Sequence, residues 1–460
     1  MSLDFLFQPK SVILIGAAHT EIKLGGVVLK NLLTYGGTVY PVNPKYDELM
    51  GIKAYRKVED VPGPADLAVI MRPAPEVPAI ITALGGKVKG AIVVSSGFAE
   101  VGESGLQAEV QRKGKESAIR LLGPNCMGVF NPRKKFDTFF ISRERMKRPR
   151  KGNVAVLSQS GAIMASLFEA IRGSNIGISK AVGYGNAIDI DESDLFKYLV
   201  KDKETDVIVS YVESLGNGRS FIEKAQELSA QKSLIVLKSG KGATGSAAAF
   251  SHTGRLAGRY EVFASIMKQF GIREVRDFDE LMDATKALSY QRPAKSLPGK
   301  GTASRVCIIT NGGGSGVLAA DECMRQGMEV MRVPDERMTP LRRMFPHFYV
   351  LNNPIDLTAQ VKDGDYLAVL DALKDEYDGF VVIALPNIPG ITENLAGLLK
   401  EFRGRVNKPL VSHVPTDGVS RRIITRLEKA KIPVYPSPER AVKGLKALLS
   451  QPGRPLPGKQ

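Results

Sequence analysis

Histidine and cysteine are both scarce in this chain, with four histidines and three cysteines in 460 residues. The cysteines, Cys126, Cys307 and Cys323, are odd in number and show no C-x-x-C spacing. That usage fits a reducing cytoplasm and argues against a zinc site. No apolar stretch reaches the roughly 20 residues that a membrane span needs. The first residues, Met1-Ser2-Leu3-Asp4-Phe5, lack a basic region and a cleavable apolar segment, so no secretion signal is expected. A cytoplasmic location away from the membrane is the expectation. Acidic residues are outnumbered, 48 against 64 Lys and Arg, for a net charge of +16. Such an excess suits a polyanionic ligand or an acidic partner. Nucleic acid is not expected. The basic residues are scattered apart from Arg143–Lys151, a Pro-containing run that reads as a solvated linker, and no nucleic-acid module is present.

What is present is a chain long enough for about three domains of ordinary size, with 43% hydrophobic residues. Short apolar runs alternate with amphipathic helical stretches, the mark of parallel sheets covered by helices. Linkers near 143–152 and over Gln291–Gly301 divide the chain into three α/β domains, 1–145, 150–290 and 302–450, with a Pro/Gly-rich tail over 451–460. The expected fold is three Rossmann- or flavodoxin-like domains with mainly parallel sheets.

Each domain opens alike, with a strand, a small-residue turn and then a helix. Ser11–Ile15 leads to Gly16-Ala17-Ala18, Asn153–Leu157 to Ser158-Gln159-Ser160-Gly161, and Arg305–Thr310 to Asn311-Gly312-Gly313-Gly314. Such turns let the backbone approach an anion, which the helix N–H groups and dipole then hold. The first turn departs from G-x-G-x-x-G, because Ala18 and Glu21 stand where glycines belong. The next strand ends in Asn43-Pro44-Lys45, where an NAD site wants an acid. An amide and a lysine suit a phosphorylated ribose instead, that of coenzyme A or NADP. Met71-Arg72-Pro73, Ser95-Ser96-Gly97 and Asn125-Cys126 lie at further strand ends that should converge on one crevice. Cys126 has no evident histidine partner in sequence and reads as a buried structural thiol.

In the second domain Glu213 follows the strand Val207–Val212. A carboxylate there can hold one nitrogen of an imidazole and leave the other to attack phosphorus. The imidazole is His252, in Phe250-Ser251-His252-Thr253-Gly254, on a long loop of small residues read as mobile. A histidine among anion cradles points to phosphoryl transfer. A nucleophile elbow at Ser158 or Ser160 is excluded, since Val156 and Ser158 stand where G-x-S-x-G needs glycine.

Together these residues resemble the α subunits of the NDP-forming acyl-CoA synthetases, of the ADP-forming acetyl-CoA synthetase type within the succinyl-CoA synthetase superfamily. The marks are Val12–Ala17, Val42–Lys45, Ser95–Glu100, Gly123–Gly128, Leu157–Ala162, Leu237–Gly240 and Ser251–Gly254. The resemblance implies a CoA-binding first domain whose contacts are Gly16, Ala17, Ala18, Lys23, Asn43, Pro44, Lys45, Arg72, Ser95, Ser96, Gly97, Asn125 and Cys126. It makes His252 the phosphorylated residue and Glu213 its support. Phosphate is held at Ser158, Gln159, Ser160 and Gly161 and at Asn311, Gly312, Gly313 and Gly314. Tyr184, Gly185 and Asn186 match a loop near the reacting centre, where Tyr184 is unusual and a candidate for shaping acyl choice. The implied reaction interconverts acyl-CoA, ADP and phosphate with carboxylic acid, CoA and ATP. Nothing resembles an ATP-grasp domain. The resemblance therefore implies a separate ATP-grasp β subunit in an α2β2 heterotetramer, which binds most of the ATP or ADP and its Mg²⁺. No metal ligand is assigned to this chain. Two alternatives stay open at this point: a non-catalytic CoA-binding regulatory or scaffold protein, and an NADP-linked oxidoreductase.

Overall fold

The computed structural model describes residues 2–242, 244–245, 259–294, 303–416, 418 and 420–450. Packing divides them into two compact units, one up to Arg276 and one from Asp277 onward. In chain order the first unit begins with β1 (Ser11–Ile15) and β2 (Thr38–Val42). The short antiparallel pair β3 (Glu48–Leu49) and β4 (Ile52–Lys53) follows, then β5 (Leu67–Ile70), β6 (Gly90–Val93) and β7 (Arg120–Leu122). Strands β2-β1-β5-β6-β7 form a wholly parallel sheet. The order reverses between β1 and β5, so a ligand crevice is expected beyond their carboxyl ends.

The second sheet of this unit contains β8 (Gly128–Asn131), β9 (Phe136–Asp137), β10 (Lys151–Ser158), β11 (Ile178–Gly183), β12 (Val207–Val212), β13 (Ser233–Lys238) and β14 (Arg273–Val275). Its order is β14-β13-β12-β10-β11-β8-β9, parallel except where β8 runs against β11 and β9 against β8. Residues 128–137, which follow the first sheet in sequence, thus extend the second. The reversal here lies between β10 and β12. Apolar runs such as VAVL in β10 and VIV in β12 are buried almost throughout, as a sheet covered on both faces requires. Helix Gly161–Gly173 covers β10 with Met164, Leu167, Phe168 and Ile171, one stripe at helical spacing.

The second unit contains β15 (Val306–Thr310), β16 (Ile355–Asp356), β17 (Gly379–Ile383), β18 (Leu410–His413) and β19 (Val434–Tyr435). They form a parallel sheet in the order β16-β15-β17-β18-β19. Helix Phe278–Tyr290 packs on helix Pro438–Leu449 in this unit. The pair is tied by Arg440, which donates from Nε and Nη2 to the buried Asp283 carboxylate. The fold class is α/β with mainly parallel sheets. Among the described residues no helix is long and apolar enough to cross a membrane.

Candidate functional site

Close backbone approach builds the crevice at β1. Gly16 takes φ +88°, and a Cβ there would lie 2.5 Å from the Met71 carbonyl oxygen. A Cβ on Gly25 would lie 2.0 Å from the Gly16 oxygen, so only glycine lets helix Leu24–Leu32 start against the turn. Asn43 braces the turn from the end of β2. Its Nδ2 donates to the Ala17 oxygen at 2.7 Å and its Oδ1 accepts from the Lys45 N–H at 2.8 Å. Arg72, beyond β5, forms a two-point ion pair with Glu76, both bonds 2.9 Å. The Ser95 hydroxyl donates to the Arg72 carbonyl. Glu100 Oε1 accepts from the N–H groups of Gly97 at 2.6 Å and Phe98 at 3.2 Å.

A cavity of 870 Å³ occupies this crevice and reaches the second sheet of the same unit. Gly16, Ala17, Ala18, Lys23, Asn43, Arg72, Ser95, Ser96, Asn125 and Cys126 line it, together with Gln159, Ser160 and Gly161 from beyond β10. Pro44, Lys45, Gly97 and Ser158 are not among its lining residues. His19, Thr20, Ile22 and Tyr46 are, and sequence reasoning missed them. Their one signal was position, on the same two loops just past Ala18 and Lys45. Burial pushes the Cys126 thiol up to about 12, and its Sγ lies 3.2 Å from the Val93 oxygen. It is a protonated, internally bonded group at neutral pH and not a ready nucleophile.

At the β10 end, Ser160 caps helix Gly161–Gly173, its Oγ accepting from the Ile163 N–H at 3.4 Å. The first N–H groups of such a helix favour negative charge by about 0.3–1 kcal/mol, up to about 2 in sheltered sites. Ser158 Oγ donates to the Ser160 oxygen at 2.7 Å. The Gln159 side chain turns to the neighbouring strand end. Its Oε1 accepts from the N–H groups of Glu213 and Ser214, and its Nε2 donates to the Ser214 oxygen. Glu213 is 5% exposed, and the Lys238 ammonium donates to its backbone oxygen at 2.7 Å. Burial holds Lys238 below its ordinary value against the pull of the Glu213 carboxylate. Burial, and then the Glu213 charge and contact, raise the Tyr211 phenol, which Ser239 opposes.

The Tyr184–Asn186 loop packs on the Gly123–Asn125 turn. A Cβ on Gly185, at φ +55°, would meet the Asn125 oxygen at 2.2 Å. The Asn186 amide donates to Glu100 Oε2 at 2.7 Å and to Gln107 Oε1 at 2.9 Å. Burial alone would raise Glu100, but Asn186 and the backbone donors of Gly97 and Phe98 outweigh it and leave it below its usual range. Tyr184 is fully buried, with its hydroxyl 3.4 Å from the Tyr211 oxygen, and is not among the cavity-lining residues. His252 lies outside the described residues. Among the described residues no group of three His, Cys, Asp or Glu is placed to hold a metal ion.

In the second unit Asn311 repeats the Gln159 arrangement. Its Oδ1 accepts from the Leu385 N–H at 2.9 Å and its Nδ2 donates to the Leu385 oxygen at 3.2 Å. That couples the ends of β15 and β17, again at the order reversal. Helix Gly313–Arg325 starts there, with Gly312 as its cap residue. A Cβ on Gly313 would lie 2.9 Å from Asp356 Oδ2.

Comparison with known proteins covers most of the chain. A family model described as a CoA binding domain matches residues 10–132. A succinyl-CoA ligase like flavodoxin domain matches 151–288, and a ligase-CoA domain matches 306–448. The chain is 36% identical over 459 residues to the α subunit of acetate–CoA ligase (ADP-forming) II from Pyrococcus furiosus, covering 98% of each. It is 37% identical to the acetate–CoA ligase (ADP-forming) of Methanocaldococcus jannaschii, where 97% of this chain spans 63% of the relative. A solved structure of the dinucleotide forming acetyl-coenzyme A synthetase 1 of Ca. Korarchaeum cryptofilum, in complex with phosphate and ADP, superposes with a TM-score of 0.89 at 34% identity, covering 98% of this chain and 97% of that one. The chain belongs to the α-subunit family of the NDP-forming acyl-CoA synthetases.

Proposed function

We propose that the chain is the α subunit of an ADP-forming acyl-CoA synthetase and interconverts acyl-CoA, phosphate and ADP with carboxylic acid, CoA and ATP. The observation that carries this reading is the 870 Å³ cavity, which one end of the CoA candidates shares with the start of helix Gly161–Gly173. A thioester and a phosphate can meet there. In this reading 1–145 binds CoA, 150–290 carries the phosphorylated histidine and 302–450 supplies a second phosphate-facing helix start at Asn311–Gly314.

Phosphate at the Ser160–Gly161 helix start attacks the thioester carbonyl carbon. The C–S bond breaks, CoA leaves as the thiol once protonated, and an acyl phosphate remains. A nitrogen of His252 then attacks phosphorus, and the P–O bond to the carboxylate breaks. Glu213 orients the imidazole and balances its positive charge. The phosphoryl group passes from His252 to the terminal phosphate oxygen of ADP. Splitting the transfer places each step beside fixed dipoles.

A separate ATP-grasp subunit supplies the nucleotide and Mg²⁺ site, in an α2β2 assembly. The Methanocaldococcus relative, of which this chain spans 63%, supports a further part fused in that case. We place the assembly in the cytoplasm, consistent with three free, buried cysteines. The test is to mix the chain with that subunit, Mg²⁺ and ATP labelled in its terminal phosphate. Acid-labile label is expected on His252, none on His252→Ala, and slower labelling on Glu213→Gln. Label that survives His252→Ala, or none on the unmodified chain, overturns the reading.

A further inference from the structure

Helix Asp335–Met344 contributes one fully buried side chain, Leu341, to its unit. The cavity beside it measures 990 Å³ and is lined by Met338, Phe345, Tyr349 and Leu351, with Arg332 and Arg342 at its edge. Asp335 is its only acidic lining residue. Around it Met331, Met344, Phe348 and Val350 are 47%, 56%, 38% and 55% exposed. Four large apolar side chains within 20 residues of chain form a cluster, whereas single exposed ones need no explanation.

Basic side chains outnumber acidic ones there, with Arg332, Arg337, Arg342 and Arg343 against Asp335 and Glu336 at the helix start. Arg332, Arg342 and Arg343 are exposed, and none has an ion-pair partner among the described residues. The neighbouring Arg337 does, with Nε 2.9 Å from Glu376. Arg, Met and aromatic side chains are the types enriched at the centres of protein interfaces. A helix anchored by one leucine, a groove beside it and three unpaired guanidinium groups are poor economy for a surface that only meets water.

We infer that the surface formed by Met331–Val350 docks the separate nucleotide-binding subunit, through a partner segment that places an apolar anchor in the groove and carboxylates on Arg332, Arg342 and Arg343. The assignment rests on the two-subunit reading above. Charge complementarity selects an acidic partner, because this chain carries +16 and opposite charge both speeds encounter and fixes register.

The test measures association of the full chain with that subunit by fluorescence anisotropy at low and moderate salt. Arg332→Glu/Arg342→Glu/Arg343→Glu is expected to weaken association at least about tenfold at low salt and to flatten its salt dependence. Met344→Ser/Phe348→Ser, whose sites are already exposed in the free chain, is expected to speed dissociation by about tenfold with little change in the salt response. The circular dichroism spectrum and thermal unfolding profile of either variant should equal those of the unmodified chain, which shows that both units have folded. Unmodified association in both variants overturns the docking surface and leaves the two-subunit reading standing. Absence of association by the unmodified chain overturns both.

Discussion

Gln159 holds Ser214 in a closed pair of hydrogen bonds, Oε1 accepting from the Ser214 N–H and Nε2 donating to its carbonyl oxygen, each 2.9 Å. The same amide oxygen accepts from the Glu213 N–H. The clasp ties the turn after β10 to the end of β12, where the sheet order reverses and ligand crevices form. Asn311 makes the equivalent closed pair with Leu385 in the second unit. In each case an amide just beyond a strand at the order reversal, β10 or β15, substitutes for a backbone ladder that the diverging strands can no longer continue.

Gln159→Met keeps the volume of the side chain and removes the clasp. The N–H groups of Glu213 and Ser214 and one carbonyl then lose their partner where Glu213 is 5% and Ser214 2% exposed. A buried unsatisfied polar group costs about 1–3 kcal/mol. Urea unfolding is expected to show a loss on the order of 2–4 kcal/mol. In the folded variant kcat should fall while the KM for CoA stays close to that of the unmodified enzyme, because the cavity wall at β1 is untouched. An unchanged kcat would show that the clasp does not position Glu213.

Gly25→Ala tests the approach at the other end of the cavity. Its Cβ would stand 2.0 Å from the Gly16 oxygen, a backbone atom that cannot rotate away. The helix start must therefore retreat, taking its N–H groups away from the crevice. CoA affinity by calorimetry is expected to fall about tenfold or more, with a lower unfolding midpoint. Affinity and midpoint both equal to those of the unmodified chain would show that the contact is dispensable.

The three strand-turn-helix openings were legible because their chemistry is local. Small residues after an apolar run report a close approach wherever the rest of the chain goes. Asn43, Arg72 and Ser95 were legible for a related reason, since strand ends in a parallel sheet point to one edge. The role of the Gln159 side chain was not, because its partner is 55 residues away and only strand order brings the two together. The pairing of β8 with β11 was equally hidden, since a four-residue run carries no mark of which sheet it will join. Tyr184 could be placed on a loop by its neighbours, but its complete burial depends on packing that a lone aromatic does not announce.

Glu100 gives the site an acid dependence whose sign follows from its partners. Burial would raise its carboxyl, yet Asn186, Gly97 and Phe98 hold it below its ordinary value. A depressed folded value means that the stabilisation is fully present above the ordinary carboxylate range and is lost as pH falls through the lower, folded value. Urea midpoints followed from about pH 7 to about pH 3 should show Glu100→Gln least stable relative to the unmodified chain at neutral pH, with the two curves converging in acid. Curves that stay parallel across the range would show that the Glu100 charge contributes nothing to the loop.

Arg72 faces the cavity while its guanidinium is paired with Glu76 through two bonds of 2.9 Å. The two side chains are 40% and 44% exposed, and pairs in such settings are worth no more than about 1 kcal/mol. A phosphate-bearing ligand can therefore compete for the guanidinium, and Glu76 opposes it both as a rival acceptor and as a like charge. Glu76→Gln is expected to tighten CoA binding about two- to fivefold at low salt, with the gain fading as salt rises. Arg72→Ala should weaken binding, and Glu76→Gln should add nothing in that background, since the effect runs through Arg72. Pantetheine, which lacks the nucleotide phosphates, serves as the control and should bind both Glu76 forms alike. If Glu76→Gln weakens CoA binding instead, the carboxylate aims Arg72 at the ligand and the competition between them is excluded.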